Sequence, residues 1–480
     1  MNISLLIDGA EVKARGNATF ERKDPFTGQV ATVAPAGTEE DVKAACDAAA
    51  AAFPAWSETG PNERRKLLLK AADLLEAKTP DFIKLMMEET GATGPWSGFN
   101  VMFAAMVLRE AACMTTMMHG EVIPSDKPGC FAMSIRQPAG VCVGMAPWNA
   151  PVILGVRAIA MPLACGNTVV MKASETCPGT HTLIGTVLQE AGLPKGVINV
   201  VTHSREDAPK VVEALIAHPA VRRVNFTGSS HVGRIIAQTA AKYLKPVLLE
   251  LGGKAPFLVL DDANLDDAVD AAAFGAFMHQ GQICMSTERI IVDNKIADAF
   301  VAKLSAKANA LPYGDPRGNV VLGSLVSEQS ADRMQELLDD ALQNGAHLVA
   351  GGKRMGTVWS ATLLDKVTPN MRIYNEESFG PVKSIIRVDG DDEAVKIAND
   401  TEYGLSSAVF SQNIQRAMAV AKRIQSGICH INGPTVNDEA QMPFGGTKDS
   451  GYGRFGGTAA IAEFTELRWI TIESHQHYPF

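Results

Sequence analysis

Concentrated positive charge is missing from this chain. Its 44 Lys and Arg stand against 53 Asp and Glu, a net charge of −9, and no block of five or six basic residues occurs. A surface for nucleic acid or an anionic membrane needs such a concentration, so neither is expected as a partner. A long apolar run is missing too. The longest uncharged stretch, Gln137 to Val156, is broken by Pro138, Pro147, Trp148-Asn149 and Pro151. A spanning helix needs about 20 predominantly apolar residues, so this stretch is expected to be strand, loop and helix start. The first residues carry no basic segment, and their apolar run stops at Asp8-Gly9, so no secretory leader is expected. Cysteine is sparse: eight in 480 residues, never as CxxC. That is thiol usage for a reducing compartment, and the cytoplasm is the expected location. No metal site is expected, and no internal repeat or low-complexity block stands out.

What is present is a folded chain. Hydrophobic residues make up 46% and charged residues 20%, enough apolar content to offset the entropy of ordering. At roughly 150 residues per domain, the length suggests about three domains. The middle of the chain alternates strand and helix. Thr168 to Met171 is a short apolar run after Gly166-Asn167, and Leu183, Ile184, Val187, Leu188 and Ala191 recur at helical spacing up to Gly192. Val197 to Val201 then reads as a strand, Val211 to Ile216 as a helix, Val221 to Phe226 as a strand, Val232 to Ile236 as a helix start and Val247 to Leu249 as a strand. Such alternation predicts an α/β fold with a parallel sheet and ligands outside the carboxyl ends of its strands. It resumes at Phe257 to Leu260, a helix through Val269 and Phe274, and the strand Arg289 to Val292, so a second α/β domain is expected from near residue 251. Cys130 to Ile135 and Leu467 to Ile472 look like solitary edge strands, which suggests a small third element that pairs between subunits.

Two glycine patterns need separating. Gly451-Tyr452-Gly453-Arg454-Phe455-Gly456 has the spacing of a dinucleotide loop, but no apolar strand precedes it and only 24 residues follow. A βαβ unit of roughly 30 residues does not fit there. Gly228-Ser229-Ser230-His231-Val232-Gly233-Arg234 lacks the Lys and following Ser/Thr of a nucleotide-triphosphate loop. It does follow a strand and open a helix, where backbone N–H groups and the helix dipole favour a phosphate. An ordinary strand-to-helix turn would look the same. Cys284 lies in the polar segment Gln280 to Thr287 before a strand, whereas Cys142 and Cys165 sit among apolar residues as inert thiols. It is either a nucleophile or a structural thiol. Glu250, at a strand's carboxyl end, is either a desolvated general base or a surface carboxylate paired with Lys254.

Glu250-Leu251-Gly252-Gly253-Lys254, followed by Gly281-Gln282-Ile283-Cys284 with Cys284 34 residues after Glu250, resembles the aldehyde dehydrogenase superfamily. So do Pro147-Trp148-Asn149, Lys172-Ala173-Ser174-Glu175, Phe226-Thr227-Gly228-Ser229, Glu377-Ser378-Phe379-Gly380-Pro381 and Pro443-Phe444-Gly445-Gly446, in the family's order and across essentially the whole chain. Within the family the chain is most similar to bacterial aromatic aldehyde dehydrogenases of the salicylaldehyde and vanillin type. The resemblance implies a Rossmann-like NAD-binding domain over residues 1–119 and 139–250, with 450–464 returning to it. It implies an α/β catalytic domain over 251–449 and a β oligomerisation element from 120–138 and 465–480, in a homodimer or homotetramer.

It also implies roles. Cys284 would be the nucleophile, Glu250 the base, and the Asn149 amide with the Cys284 N–H the oxyanion site. Lys172, Ser174 and Glu175 would hold the adenosine ribose of NAD, with NADP as a weaker substitute. Gly228, Ser229 and Gly233 would face the pyrophosphate, while Glu377, Phe379, Leu251, Pro147 and Trp148 would lie around the nicotinamide end. Many relatives carry a bulky aromatic after the oxyanion Asn; here Ala150 stands there and widens the tunnel. Trp96, Met285 and Phe444 would wall a planar ring. Arg157, in an otherwise apolar helix, would meet a ring hydroxyl or an internal Glu, because an unpaired buried Arg is costly. The implied reaction is oxidation of an aromatic aldehyde to its acid in aromatic-compound catabolism. Alternatives are a broad aliphatic or semialdehyde dehydrogenase, a CoA-acylating enzyme, against which Glu250 argues, and a non-catalytic structural member.

Overall fold

Apolar runs punctuated by turn residues become alternating strands and helices in the computed structural model, which describes residues 1–474 and 478–480. The strands Val141–Met145, Thr168–Lys172, Ile198–Val201, Val221–Thr227 and Val247–Glu250 alternate with the helices Pro151–Ala164, Pro178–Ala191, Ala208–Ala217 and Ser230–Lys242. Local chemistry sets the boundaries. Gly192 takes φ 103 and ends its helix in a left-handed turn that a Cβ would oppose. Ser229 caps the helix Ser230–Lys242 by accepting the Val232 N–H, one of the donors a helix start leaves free.

The five strands are parallel, in the spatial order Ile198–Val201, Thr168–Lys172, Val141–Met145, Val221–Thr227, Val247–Glu250. The N-terminal hairpin Leu5–Ile7 and Ala10–Val12 extends one edge, and Gly451–Tyr452 pairs antiparallel at the other. The chain lays down three strands outward from Val141–Met145, then returns to that strand's other side. The topological switch point therefore lies between Val141–Met145 and Val221–Thr227, where open α/β sheets bind ligands.

A second sheet follows. Ala255–Val259, Thr287–Asp293, Thr362–Asp365, Val382–Val388, Ser406–Phe410 and Ile428–Ile431 run parallel, with His347–Ala350 antiparallel at one edge. Ala255–Val259 and Thr287–Asp293 are buried at every residue, as strands covered on both faces should be. The linker between the sheets, Leu251 to Lys254, is tied down by Ser450. The Ser450 carbonyl accepts the Leu251 N–H, and its hydroxyl donates to the Gly252 carbonyl at 2.6 Å.

The two strands expected to be solitary are not. Phe131–Pro138 and Thr465–Ile472 pair with each other, antiparallel from Thr465 opposite Pro138 to Ile472 opposite Phe131, and Glu121–Ile123 adds a third strand. Local patterns do not show this pairing, because the two strands lie more than 300 residues apart, although the β element that the resemblance implies joins the same two segments. Leu467, Trp469 and Ile472 of this small sheet are exposed. Residues 475–477 of the expected 465–480 segment lie outside the described residues.

The literal GxGxxG is a sheet edge. Gly451 pairs with Glu250 at φ 106, and a Cβ there would stand 2.1 Å from the Leu249 carbonyl oxygen. Gly451→Ala should therefore combine backbone strain with a clash, at a cost of about 1–3 kcal/mol for the strain alone. Thermal unfolding should show an apparent Tm several degrees lower; an unchanged Tm would mean that this edge contributes no stability.

Candidate active site

The segment carrying Cys284 is held from several sides. It follows a tight turn, Met278–Gly281, in which His279, Gln280 and Gly281 all have positive φ, 49, 56 and 73. Non-glycine residues adopt this region only where surroundings impose it. Gln280 donates to the Ser324 carbonyl, Gln282 accepts the Val326 N–H, and Ser286 donates to the Gly275 carbonyl. The approach of the linker is close enough that a Cβ on Gly253 would lie 2.3 Å from the Cys284 carbonyl oxygen. Only glycine permits that contact between the two sheets.

Asn149 reaches the same place from the first sheet, in the turn between Val141–Met145 and Pro151–Ala164. Its carbonyl accepts the Trp96 indole N–H at 3.0 Å, and its amide donates one hydrogen to the Gln282 carbonyl at 3.0 Å. That fixes the amide beside the cysteine loop with its second N–H to spare. The Cys284 N–H has no acceptor among the described residues.

Glu250 is buried rather than at the surface, and it is not the partner of Lys254. Lys254 binds Glu288 at 2.7 Å instead. Glu288 also takes Lys383 and both the N–H and hydroxyl of Ser378. Burial works against its charge, yet Lys254 and Lys383 hold the Glu288 carboxyl at about 2. Glu250 has no such support: no N–H or hydroxyl donor closes on either carboxyl oxygen, and the Cys284 thiol is its hydrogen-bonding neighbour. Burial pushes it up to about 8, with Arg157 and the Cys284 thiol beside it pulling the other way. Burial likewise pushes the Cys284 thiol well above its ordinary value, reinforced by the Glu250 and Glu377 carboxylates. At neutral pH both groups therefore stay mostly protonated until a proton is drawn off.

Cys284, Asn149 and Leu154 lie on the shared wall of two cavities. One is a crevice of about 400 Å³ at the switch point, lined by Pro147, Trp148, Gly228, Ser229, Glu250, Leu251, Glu377 and Phe379. The Trp148 and Phe379 rings meet there edge to face at 5.7 Å. Glu377 accepts the Gly253 N–H at 2.9 Å, and burial lifts it to about 7. The other cavity, about 500 Å³, is lined by Trp96, Ala150, Arg157, Met285 and Phe444 among mostly apolar neighbours. All five expected walls of the ring pocket thus face one space.

Some expected residues stand elsewhere. Lys172, Ser174 and Glu175 lie at the carboxyl end of the neighbouring strand and line neither cavity. The Lys172 ammonium is 4.0 Å from the Glu175 carboxylate. Gly233 is covered by Leu251, whose Cδ2 would be 2.5 Å from an added Cβ, so it lets the helix pack against the linker. Arg157 pairs with Asp438, not with a Glu. Ile153 and Leu154 of the wide cavity went unread, although Ala150, Ile153, Leu154 and Arg157 fall at i, i+3, i+4 and i+7, one helix face. Phe103, Phe274, Met278, Val436 and Asp438 on that side, and Arg333 and Tyr403 on the other, come from distant segments without a local signal. Among the described residues there is no cluster of three His, Cys, Asp or Glu suited to a metal, and no helix is long and apolar enough to cross a membrane.

A thiol and an unsupported buried carboxylate between a switch-point crevice and an apolar cavity define a class. Residues 12–470 match the aldehyde dehydrogenase family, and the chain belongs to it. It is thus an oxidoreductase acting on aldehydes. It is 60% identical over 481 residues to a vanillin dehydrogenase of Pseudomonas fluorescens, covering 100% of both chains. Among solved structures, the salicylaldehyde dehydrogenase of Pseudomonas putida G7 complexed with salicylaldehyde superposes with a TM-score of 0.98 at 52% identity, covering 100% of each chain. An NAD-dependent aldehyde dehydrogenase of Sinorhizobium meliloti gives 0.96 at 33% identity, with 100% of this chain and 96% of that one covered.

The paired burial of thiol and acid has a titration signature. Iodoacetamide labelling of Cys284, followed by mass mapping of its peptide, should have a midpoint well above that of a free thiol, about pH 8.5. Glu250 ionises first, and its charge then opposes thiolate formation, so Glu250→Gln should move the midpoint down. A wild-type midpoint at or below the free-thiol value would contradict this electrostatic account.

Proposed function

We propose that this protein oxidises an aromatic aldehyde of the vanillin and salicylaldehyde kind to the carboxylic acid, with NAD as hydride acceptor and a covalent adduct on Cys284. The observation that carries this reading is the position of Cys284 and Asn149 on the wall between the crevice and an apolar cavity of about 500 Å³, with the buried Glu250 carboxyl alongside.

The chain's own residues suit each step. In its ionised form Glu250 takes the Cys284 proton, which burial otherwise keeps on sulfur, and the thiolate attacks the aldehyde carbon. The spare N–H of the Asn149 amide and the Cys284 N–H hold the resulting oxyanion; such a preorganised donor is worth about 3–4 kcal/mol. NAD, when bound, supplies the hydride acceptor that takes the adduct from thiohemiacetal to thioester. Once that proton has passed to solvent, Glu250 acts again as base and activates water to release the acid. Its elevated value, about 8, lets it be both donor and acceptor of a proton near neutral pH.

The residues present fit a dinucleotide. Glu377 uses one carboxyl oxygen on the Gly253 N–H, and the other lies 2.7 Å from where a Gly252 Cβ would stand, so glycine keeps that oxygen open to the crevice. Ser229 begins a helix of 13 residues, whose N-terminus favours phosphate. Glu175 beside Lys172 would accept a ribose hydroxyl and repel a 2′-phosphate, which favours NAD over NADP. We further propose a homo-oligomer, dimer or tetramer, supported by the exposed Trp469, Leu467 and Ile472 on a strand whose outer edge has no partner among the described residues, and a cytoplasmic location, supported by eight cysteines that are all free. We likewise propose a nucleotide-binding domain of residues 1–119, 139–250 and 450–464, a catalytic domain of 251–449 and an oligomerisation element of 120–138 and 465–480, a reading that the division of strands among the sheets supports.

Ala150 makes the substrate class testable. It caps the helix Pro151–Ala164 at the cavity wall and is only 7% exposed. A Phe there would overfill the space at a cost of about 1–3 kcal/mol, roughly 5- to 150-fold in rate constant. NADH absorbance with benzaldehydes and alkanals should show benzaldehydes preferred by the wild type. Ala150→Phe should lower kcat/KM for salicylaldehyde or vanillin much more than for hexanal in one preparation. Preference for alkanals in the wild type would instead favour a broad aliphatic enzyme.

A further inference from the structure

The Asn149 amide is held by a closed ring of contacts, and His279 is the member of that ring with no role so far. The Trp96 indole N–H donates to the Asn149 carbonyl at 3.0 Å, and the Asn149 amide donates to the Gln282 carbonyl at 3.0 Å. The Gln282 N–H in turn donates to the His279 carbonyl at 3.0 Å. Side chains close the circuit: the His279 imidazole stacks on the Trp96 indole, with centroids 5.0 Å apart and planes 14° from parallel. His279 itself sits awkwardly. Its backbone is left-handed, φ 49 and ψ 42, and both ring nitrogens are buried without a hydrogen-bond partner. Each feature is unfavourable, and what the residue gains is the flat contact with Trp96. Burial pushes the imidazole down to about 3, so at neutral pH it brings no charge to the site and acts by shape. Histidine also enters the left-handed region more readily than a bulkier aromatic residue does. One side chain thus serves both the turn and the stack. Beside this stack Trp96 borders a further cavity of about 530 Å³, which His279, Phe274 and Met278 also line. Without the imidazole the indole would have room to turn away from Asn149.

We propose that His279 is a positioning residue for the oxyanion step: stacked on Trp96, it keeps the indole N–H on the Asn149 carbonyl and so aims the Asn149 amide at the carbon bound to Cys284. The proposal rests on reading Cys284 as the nucleophile and Asn149 as the oxyanion donor. His279 touches neither the reacting carbon nor the thiol in this scheme. Its effect reaches the chemistry through Trp96 and Asn149 alone. A donor displaced by about 1 Å can cost on the order of a hundredfold in rate, so a contact of this kind matters without meeting the substrate.

A double-mutant cycle tests the route. His279→Asn removes the ring while keeping a residue that tolerates positive φ, and Asn149→Ala removes the amide that the ring is proposed to aim. Four enzymes, wild type, each single variant and the pair, are compared by kcat/KM. Active-site concentration is taken from NAD titration, so that any loss of folded enzyme cancels. The substrate is whichever of benzaldehyde and hexanal the wild type oxidises, which keeps the result independent of the substrate class. Asn149→Ala alone should cost about 100- to 1000-fold. His279→Asn should cost about tenfold or more when Asn149 is present and no more than about twofold when it is absent. A merely structural role, such as displacement of the Cys284 segment, would cost the same factor in both backgrounds, and that result overturns the proposal. So does a His279→Asn enzyme as active as the wild type. In either case a large loss in Asn149→Ala leaves the oxyanion reading standing. If Asn149→Ala is fully active, the oxyanion reading falls and the proposal with it. Should His279→Asn not fold, His279→Gly takes its place in the cycle, because glycine adopts φ 49 without strain.

Discussion

A carboxyl group buried with no cation and no N–H donor to hold its charge is the constraint on which the rest of this molecule turns. Glu250 ends the last parallel strand of one sheet, and after four intervening residues the second sheet begins with Ala255. Keeping such a group ionised in a dry site costs several kcal/mol, so it holds its proton to about pH 8. Had Lys254 turned toward it, the two would have formed an inert ion pair. Lys254 is instead committed to Glu288, which Lys383 and Ser378 also bind. That fully satisfied buried network beneath the linker is what allows Glu250 to remain unsatisfied above it.

The same junction explains why the two sheets must meet so closely. The first sheet delivers Asn149 and Glu250 from strand ends; the second delivers Cys284 from the loop before Thr287–Asp293. Gly253 is the point of contact, because any side chain there would strike the Cys284 carbonyl. The crevice and the apolar cavity are therefore two sides of one wall only a few side chains thick. A fold of this kind serves many chemistries, and the site alone decides which. Here Cys284, Asn149 and Glu250 carry the proposed chemistry, and Ala150 with the Arg157–Asp438 pair lines the cavity beside them.

Much of this was legible in the sequence, for reasons that are local. Strand and helix periods, the Gly192 stop and the Ser229 cap are short-range signals, and they located the alternating elements of the first sheet. Gly451 to Gly456 could be set aside because a dinucleotide loop needs a strand before it. What stayed hidden depends on contacts between distant segments. Asp438 lies 281 residues from Arg157, and nothing near Asp438 in the sequence announces that pairing. Thr465–Ile472 looked solitary because its partner strand lies more than 300 residues earlier. Lys254 looked like the partner of Glu250 because it is its neighbour in sequence; Glu288 is its neighbour in space. The face Ala150, Ile153, Leu154, Arg157 was readable from helical spacing alone.

The central claim is that the aldehyde carbon passes through a covalent bond to Cys284, which Glu250 then helps water to break. Acid-quenched Glu250→Gln enzyme, mixed with NAD and a benzaldehyde, tests this most directly by peptide mass spectrometry. The account predicts an aroyl thioester on the peptide containing Cys284, formed together with NADH and more abundant than in the wild type. NADH formed without any acyl group on Cys284, or an acyl group found on another cysteine, would contradict it.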